Sequence, residues 1–161
     1  MSFEIVPIDE MIAKEVRGTL RSPGYGHPVW TEVPEGPAPC RLCLDHIEPG
    51  RERLVAFTYD AFHGREELPL PGPVFLHERE CVPYRRTGEF PAALGRSGVV
   101  LDAYRHGRRL LVERRVAKPE IPAALDELLG RPEVDYVHVR SATAGCYLCT
   151  AVQRRRSHKL T

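Results

Sequence analysis

Two C-x-x-C pairs constrain this chain more than any other feature, because they hold four of its five cysteines. One pair is Cys40 and Cys43, and the other is Cys146 and Cys149. Two thiolates three positions apart on a tight turn can both point at one metal ion, and two such turns complete a tetrahedron. The first hypothesis is therefore a structural zinc site with Cys40, Cys43, Cys146 and Cys149 as ligands.

The local sequence of both pairs lacks one feature that would favour such a turn. If residues 146–149 form a regular strand, side-chain alternation places Cys146 and Cys149 on opposite faces. A knuckle-like turn is needed for both to bind, and a glycine after the second cysteine would ease it. Leu44 and Thr150 stand at those positions. The pairs are also far apart in sequence compared with the ~15–20 residues of a compact zinc ribbon, so the metal would tie an early loop to the last strand.

Three other interpretations of the cysteines stay open. His77 and Cys81 could complete the first pair, since H-x-x-x-C spacing suits a helical face or a strand end followed by a loop. A small enzyme would instead use Cys40 or Cys146 as nucleophile and His138 or His77 as base. In the third interpretation, the cysteines are small apolar residues of a metal-free core.

Charge and length exclude some classes of function. The 161 residues fit one domain, 1–161, and 23 Lys and Arg balance 22 Asp and Glu, so no general attraction to nucleic acid or to an anionic membrane is expected. No export signal and no apolar run of ~18 residues is seen. We therefore expect a cytoplasmic protein without a membrane partner, whose basic tail from about residue 154 is frayed.

Hydrophobic periodicity predicts an α+β fold. The chain is expected to form one domain of mostly antiparallel sheet with two main short helices and long loops rich in Pro and Gly. A two-residue loop, His106-Gly107, should close the clearest hairpin, and Gly130 should end a helix. The predicted strands are 3–7, 51–59, 73–77, 99–105, 108–116, 134–140 and 146–153, and the predicted helices are 8–20 and 121–129.

Four short stretches, in this order and spacing, are similar to a known family. They are Pro39–Leu44, Gly72–His77, Val137–Arg140 and Gly145–Tyr147. Together they resemble a bacterial family recorded as a domain of unknown function, number twelve hundred and three in its series. The resemblance covers the chain from about Cys40 to the last strand.

The resemblance bears on the site more than on activity, because no activity is assigned to that family. It implies that Cys40 and Cys146 are the more general positions. Some members resemble the chain elsewhere but have serine at the position of Cys43, and a small or apolar residue at that of Cys149. A four-thiolate site would then belong to this branch of the family. A subgroup also resembles this chain at His77, Cys81 and His138.

Overall fold

Ten short strands and two α-helices make up the regular structure in the part of the chain that the structure describes. This computed structural model describes residues 2–62, 64 and 72–154. The elements are, in chain order, β1 (Phe3–Val6), α1 (Glu10–Thr19), β2 (Trp30–Glu32), β3 (Ala38–Pro39), β4 (His46–Ile47), β5 (Leu54–Tyr59), β6 (Gly72–His77), β7 (Val99–Tyr104), β8 (Leu110–Val116), α2 (Ile121–Leu129), β9 (Tyr136–Ser141) and β10 (Tyr147–Gln153). All their pairings are antiparallel, which confirms the predicted α+β class.

The largest sheet has the order β1-β10-β9-β7-β8, and helix α2 covers one of its faces. The predicted strand at 134–140 corresponds to β9, in which Val137 and Val139 join the core beneath α2. Leu125 and Leu128 of α2 are fully buried in the same core. Burying a leucine side chain contributes about 1.5–3 kcal/mol, so this face holds the carboxyl-terminal half together.

A second core lies between α1 and two smaller sheets, one of order β2-β5-β6 and one formed by β3 and β4. Asp9 caps α1, since its side chain accepts a hydrogen bond from the backbone N–H of Met11 at 2.8 Å. The buried side of α1 contributes Ala13 and Val16. Cys40 belongs to this core and is fully buried. The second core therefore supports the first C-x-x-C pair.

The structure differs from the sequence-based expectations at two turns. The hairpin loop contains residues 105–109 rather than two residues, and the N–H of Arg105 donates to the carbonyl of Arg109 at 2.9 Å. The loop is longer because the strands pair with Val99 opposite Val116, a register that leaves five residues between Tyr104 and Leu110. Gly130 ends α2 in the right-handed region, at φ −75°. Its N–H reaches back to the carbonyl of Asp126, so the helix needs no left-handed residue there.

Two other predictions concern the ends and exterior of the chain. Of the predicted frayed tail, the structure describes only Arg154, and residues 155–161 lie outside the described part. Among the described helices, neither has the length and apolar character to cross a membrane.

Candidate metal centre

Four potential metal ligands come together at the edge of the second core. The Sγ atoms of Cys40, Cys43 and Cys81 and a ring nitrogen of His77 all lie within 4.8 Å of one another. Cys40 and Cys43 belong to the turn after β3, His77 ends β6, and Cys81 lies in the following loop. This is the alternative ligand set expected from the H-x-x-x-C spacing. The four residues could hold a metal ion.

The turn that carries Cys40 and Cys43 is closed by the backbone. The N–H of Leu44 donates to the carbonyl of Cys40 at 3.0 Å, and the N–H of Cys40 donates to the carbonyl of Asp45 at 2.9 Å. Leu44 takes φ 57°, the left-handed region that usually favours glycine. Such a conformation costs of order 1–3 kcal/mol, and the burial of the Leu44 side chain offsets it. The turn thus forms with leucine, and not glycine, at the position after its second cysteine.

The turn is held directly beside β6. The backbone N–H of Arg41 donates to the carbonyl of Phe75 at 2.9 Å. The N–H of His77, two residues further on, donates to the Sγ of Cys40 at 3.3 Å. The Nδ1 of His77 then lies 3.3 Å from the Sγ of Cys43. Strand pairing therefore brings the imidazole to the cysteine turn.

Helix α1 holds the fourth ligand. The guanidinium of Arg17 donates to the carbonyl of His77 from Nε at 3.1 Å and from Nη2 at 3.0 Å. Nη2 also lies 3.5 Å from the Sγ of Cys81. Arg17 thereby fixes the loop after β6 and places a positive charge beside the sulfurs. Sequence reasoning did not identify Arg17, because nothing local marks an arginine on an amphipathic helix as part of a site.

The distances suit tetrahedral coordination. A zinc–sulfur bond of about 2.3 Å separates two sulfurs of a tetrahedron by about 3.8 Å, and the Sγ atoms of Cys40 and Cys81 are 3.8 Å apart. With a zinc–nitrogen bond of about 2.0–2.1 Å, a sulfur and a nitrogen would lie about 3.6 Å apart. The observed 3.3 Å between Cys43 and His77 is close to that value.

A carboxylate lies behind the imidazole. The Nε2 of His77 is 3.5 Å from an Oε2 of Glu52, although the two groups lack the alignment of a hydrogen bond. The Nε of Arg79 donates to the same Glu52 oxygen at 2.7 Å and orients it. Metal-binding histidines commonly donate their other N–H to a carboxylate, which fixes the tautomer. The sequence did not predict a role for Glu52, because only the pairing of β5 with β6 brings it beside His77.

Contacts within the cluster favour the thiolate form of Cys40. The hydrogen bonds with Cys43 and Cys81 hold the pKa of Cys40 well below its ordinary value, against the opposing effect of burial. The same contact with Cys40 raises the pKa of Cys43. The sulfurs of Cys40 and Cys81 raise the pKa of His77 to about 10. These contacts favour a thiolate beside an imidazolium in the metal-free cluster, and a bound cation would replace the imidazolium proton.

The structure does not bring the second C-x-x-C pair into this group. Cys149 is fully buried in the core beneath α2, and this burial raises its pKa to about 12. Cys146 precedes β10, where its thiol donates to the carbonyl of Ala144 over 3.9 Å. A register shift between Tyr147 and Cys149 interrupts the pairing with β9. Of the first hypothesis, the gathered site keeps Cys40 and Cys43.

Two of the thiol–histidine pairs proposed from the sequence lie in common regions of the structure, Cys40 with His77 in the cluster and Cys146 with His138 at one cavity. His138 lies on the opposite face of β9 from the α2 core, and it lines a cavity of about 440 Å³ together with Cys146. Four aromatic rings surround its imidazole, with 5.0–5.3 Å between the ring centroids. They belong to Phe62, Tyr104, Tyr136 and Tyr147. Cys40 is fully buried, whereas the half-buried Cys43 faces the Nδ1 of His77. The thiol–imidazole contact of the structure thus includes Cys43, which was not proposed as a nucleophile.

Comparison with known proteins identifies a family without a known activity. No curated protein and no solved structure matches the chain. A family model described as "protein of unknown function (DUF1203)" matches residues 37–154, a range that contains all four gathered ligands. This match confirms the resemblance seen in the sequence. Because it covers most of the chain, the protein belongs to the DUF1203 family.

Proposed function

We propose that Cys40, Cys43, His77 and Cys81 bind one structural zinc ion. The observation that carries this proposal is the mutual distance of the four ligand atoms, all within 4.8 Å. Thiolate and imidazole ligands in a tetrahedron favour zinc over magnesium or calcium, which prefer oxygen. Four protein ligands fill the tetrahedron and leave no position for a catalytic water. The ion would therefore stabilise the fold.

The proposed ion links elements that are far apart in the sequence. It would connect the turn after β3 to the end of β6 and the loop that follows. Arg17 adds positive charge beside three thiolates and one neutral imidazole, whose complex with Zn²⁺ carries a net negative charge. The surroundings of the ligands thus also suit the ion.

Metal analysis of the purified protein tests the proposal. The protein is purified without a histidine tag, its metal content is measured by mass spectrometry, and its thiols are counted before and after addition of a chelator. We expect about one zinc per chain and three thiols, those of Cys40, Cys43 and Cys81, that become reactive only with chelator. A metal-free protein whose melting temperature does not respond to zinc or chelator would refute the proposal.

A second candidate function rests on the same atoms. The two ring nitrogens of His77 face a thiol and a carboxylate: Nδ1 lies 3.3 Å from the Sγ of Cys43, and Nε2 lies 3.5 Å from the Oε2 of Glu52. A nucleophile, a base and an orienting carboxylate have this arrangement in thiol enzymes. Cys43 and His77 also line an open groove of about 1190 Å³, which offers room for a substrate.

Alkylation by iodoacetamide at neutral pH separates the two candidates. A thiol nucleophile predicts fast labelling of Cys43 in a metal-free protein, and slower labelling in Glu52→Gln because the imidazole loses its partner. The zinc proposal predicts slow labelling that chelator accelerates. Cys146→Ser is the matched control, because its thiol lies outside the cluster and its loss should leave both rates unchanged.

A further inference from the structure

A buried arginine lies at the wall of a cavity on the other side of the cysteine turn. Arg41 is 2 % exposed. Its guanidinium reaches β10, where Nε donates to the carbonyl of Tyr147 at 2.7 Å, and it returns to the turn, where Nη1 donates to the carbonyl of Pro39 at 2.5 Å. Both acceptors are uncharged. These two bonds orient the guanidinium but do not neutralise it.

The charge of Arg41 has no carboxylate partner among the described residues. A guanidinium stays charged in proteins, and a buried charge is costly unless it is paired. The other arginine that lies deep in the described structure, Arg108, has Asp60 at 3.8 Å, and the half-buried Arg140 has Asp102 at 2.6 Å. The ring of Phe75, 5.4 Å from the guanidinium carbon of Arg41, compensates only part of a full charge.

The cavity beside Arg41 has a volume of about 260 Å³. Its lining includes the polar side chains of Arg96, Ser141 and Thr143. It also includes the apolar side chains of Phe75, Leu94 and Leu148. A second arginine and two hydroxyl groups can add hydrogen bonds to a negative group. The apolar side chains suit a hydrocarbon body.

We propose that this cavity binds a small organic oxyanion, with its charged head on the guanidinium of Arg41 and its apolar body against Phe75 and Leu148. A guanidinium has five N–H donors in a planar fork that matches carboxylate and phosphate. Tyr147 and Pro39 accept two of these hydrogen bonds, so donors remain for the ligand. The lining of this cavity contains none of the proposed zinc ligands.

The alternative role for Arg41 is to balance the negative charge of the metal cluster, since Cys40 precedes it in the chain. That role predicts an effect of Arg41 on metal affinity and none on anion binding. The two roles therefore give opposite results in one set of variants.

Ligand titration of the protein as purified tests the proposal. Benzoate and phenyl phosphate are the probes with an apolar body, and inorganic phosphate is the probe without one. The side-chain Nε–H signal of Arg41 is followed by two-dimensional NMR. We expect a saturable shift with both aromatic probes at lower concentration than with inorganic phosphate. An Arg41 signal that no probe shifts would overturn the proposal, and a preference for inorganic phosphate would overturn the predicted apolar body.

Two variants test whether Arg41 binds the oxyanion. Arg41→Met should weaken benzoate binding by about tenfold or more, because a hydrogen-bonded charge is lost, while the metal content stays unchanged. Arg96→Ala, at an exposed position, keeps the fold testable if Arg41→Met does not fold, and should weaken binding by about twofold to threefold. Unchanged benzoate affinity in both variants, or a loss of metal without a loss of benzoate binding, would overturn the proposal.

Discussion

The two C-x-x-C pairs share a spacing but occupy different backbones. Cys40 and Cys43 lie on a tight turn whose left-handed Leu44 closes it beside β6. Cys146 and Cys149 lie at the start of β10, and Cys149 points into the core beneath α2. A strand separates side chains three positions apart, whereas a turn can bring them together. The backbone conformation, and not the spacing, distinguishes a ligand pair from a core cysteine.

The protonation of the two pairs differs for the same reason. Cys40 accepts hydrogen bonds from its neighbours, so its pKa is well below the ordinary value. Burial disfavours the charged form of Cys149 and raises its pKa to about 12, against the opposing effect of the Arg41 charge. A buried sulfur is thus a thiolate in one region and a neutral apolar group in the other.

The largest expected effect is the loss of metal from Cys40→Ser. Metal content should fall from about one ion per chain to a small fraction, because a ligand is removed. If the free metal exceeds its Kd a thousandfold, the lost stabilisation is about 4 kcal/mol. Mass spectrometry and thermal unfolding measure both quantities.

The matched control for Cys40→Ser is Cys146→Ser in the other pair. It should keep the metal and change the free energy of unfolding by less than about 0.5 kcal/mol. Metal loss from Cys146→Ser would instead favour the four-thiolate hypothesis.

Glu52→Gln is the next largest change. The amide keeps the shape of the side chain but removes the charge that faces His77 and Arg79. Loss of such an outer partner costs about 10–100-fold in metal affinity. Competition with a chromogenic chelator measures the affinity. Glu48→Gln, whose side chain faces Arg51 instead, is the control, and an equal effect in both variants would exclude a specific role for Glu52.

Alkaline pH should destabilise the fold through Cys149. Its folded pKa of about 12 exceeds the ordinary 9.0, so the folded thiol keeps a proton that the unfolded chain releases. The contribution of the protonated Cys149 to the free energy of unfolding is complete below pH 9 and is lost as the pH rises toward 12. By pH 10 the loss is about 1.4 kcal/mol. Between pH 8 and 10, the free energy of unfolding in urea should fall by about 1.4 kcal/mol more in the wild type than in Cys149→Ala; an equal fall in both proteins would contradict the prediction.

The smallest effect is that of Cys149→Ala at neutral pH. Removing one buried sulfur leaves a small cavity and should cost about 1 kcal/mol. Metal content should be unchanged, because Cys149 lies outside the ligand group. Unfolding by urea and metal analysis of the same sample check both statements, and a loss of zinc would place Cys149 back among the ligands.

Local pattern was sufficient to predict much of the fold. Helix α2 has the predicted limits, Ile121–Leu129, because its apolar spacing and flanking Gly130 are local signals. The strands of the main hairpin and the alternation of β9 also follow from short-range periodicity. The hairpin loop was longer than predicted because the register, which pairs Val99 with Val116, depends on contacts of both strands and not on the loop residues.

Only part of the candidate site could be predicted from local sequence patterns. Residue type and spacing pointed to Cys40 and Cys43, and the H-x-x-x-C spacing kept His77 and Cys81 as an open alternative. The choice between these and the second pair required knowledge of which strand lies next to the turn. No local signal carries that information.

The sequence by itself determined that this protein has an antiparallel α+β fold and pointed to Cys40 and Cys43 as one half of a candidate metal centre. The tertiary structure decided the other half. The register that pairs Leu54 with His77, together with the hydrogen bond from Arg41 to Phe75, brings the end of β6 to the cysteine turn. Register and sheet contact are set by burial across the whole core. For that reason residues distant in the chain, and not a second copy of the motif, complete the site.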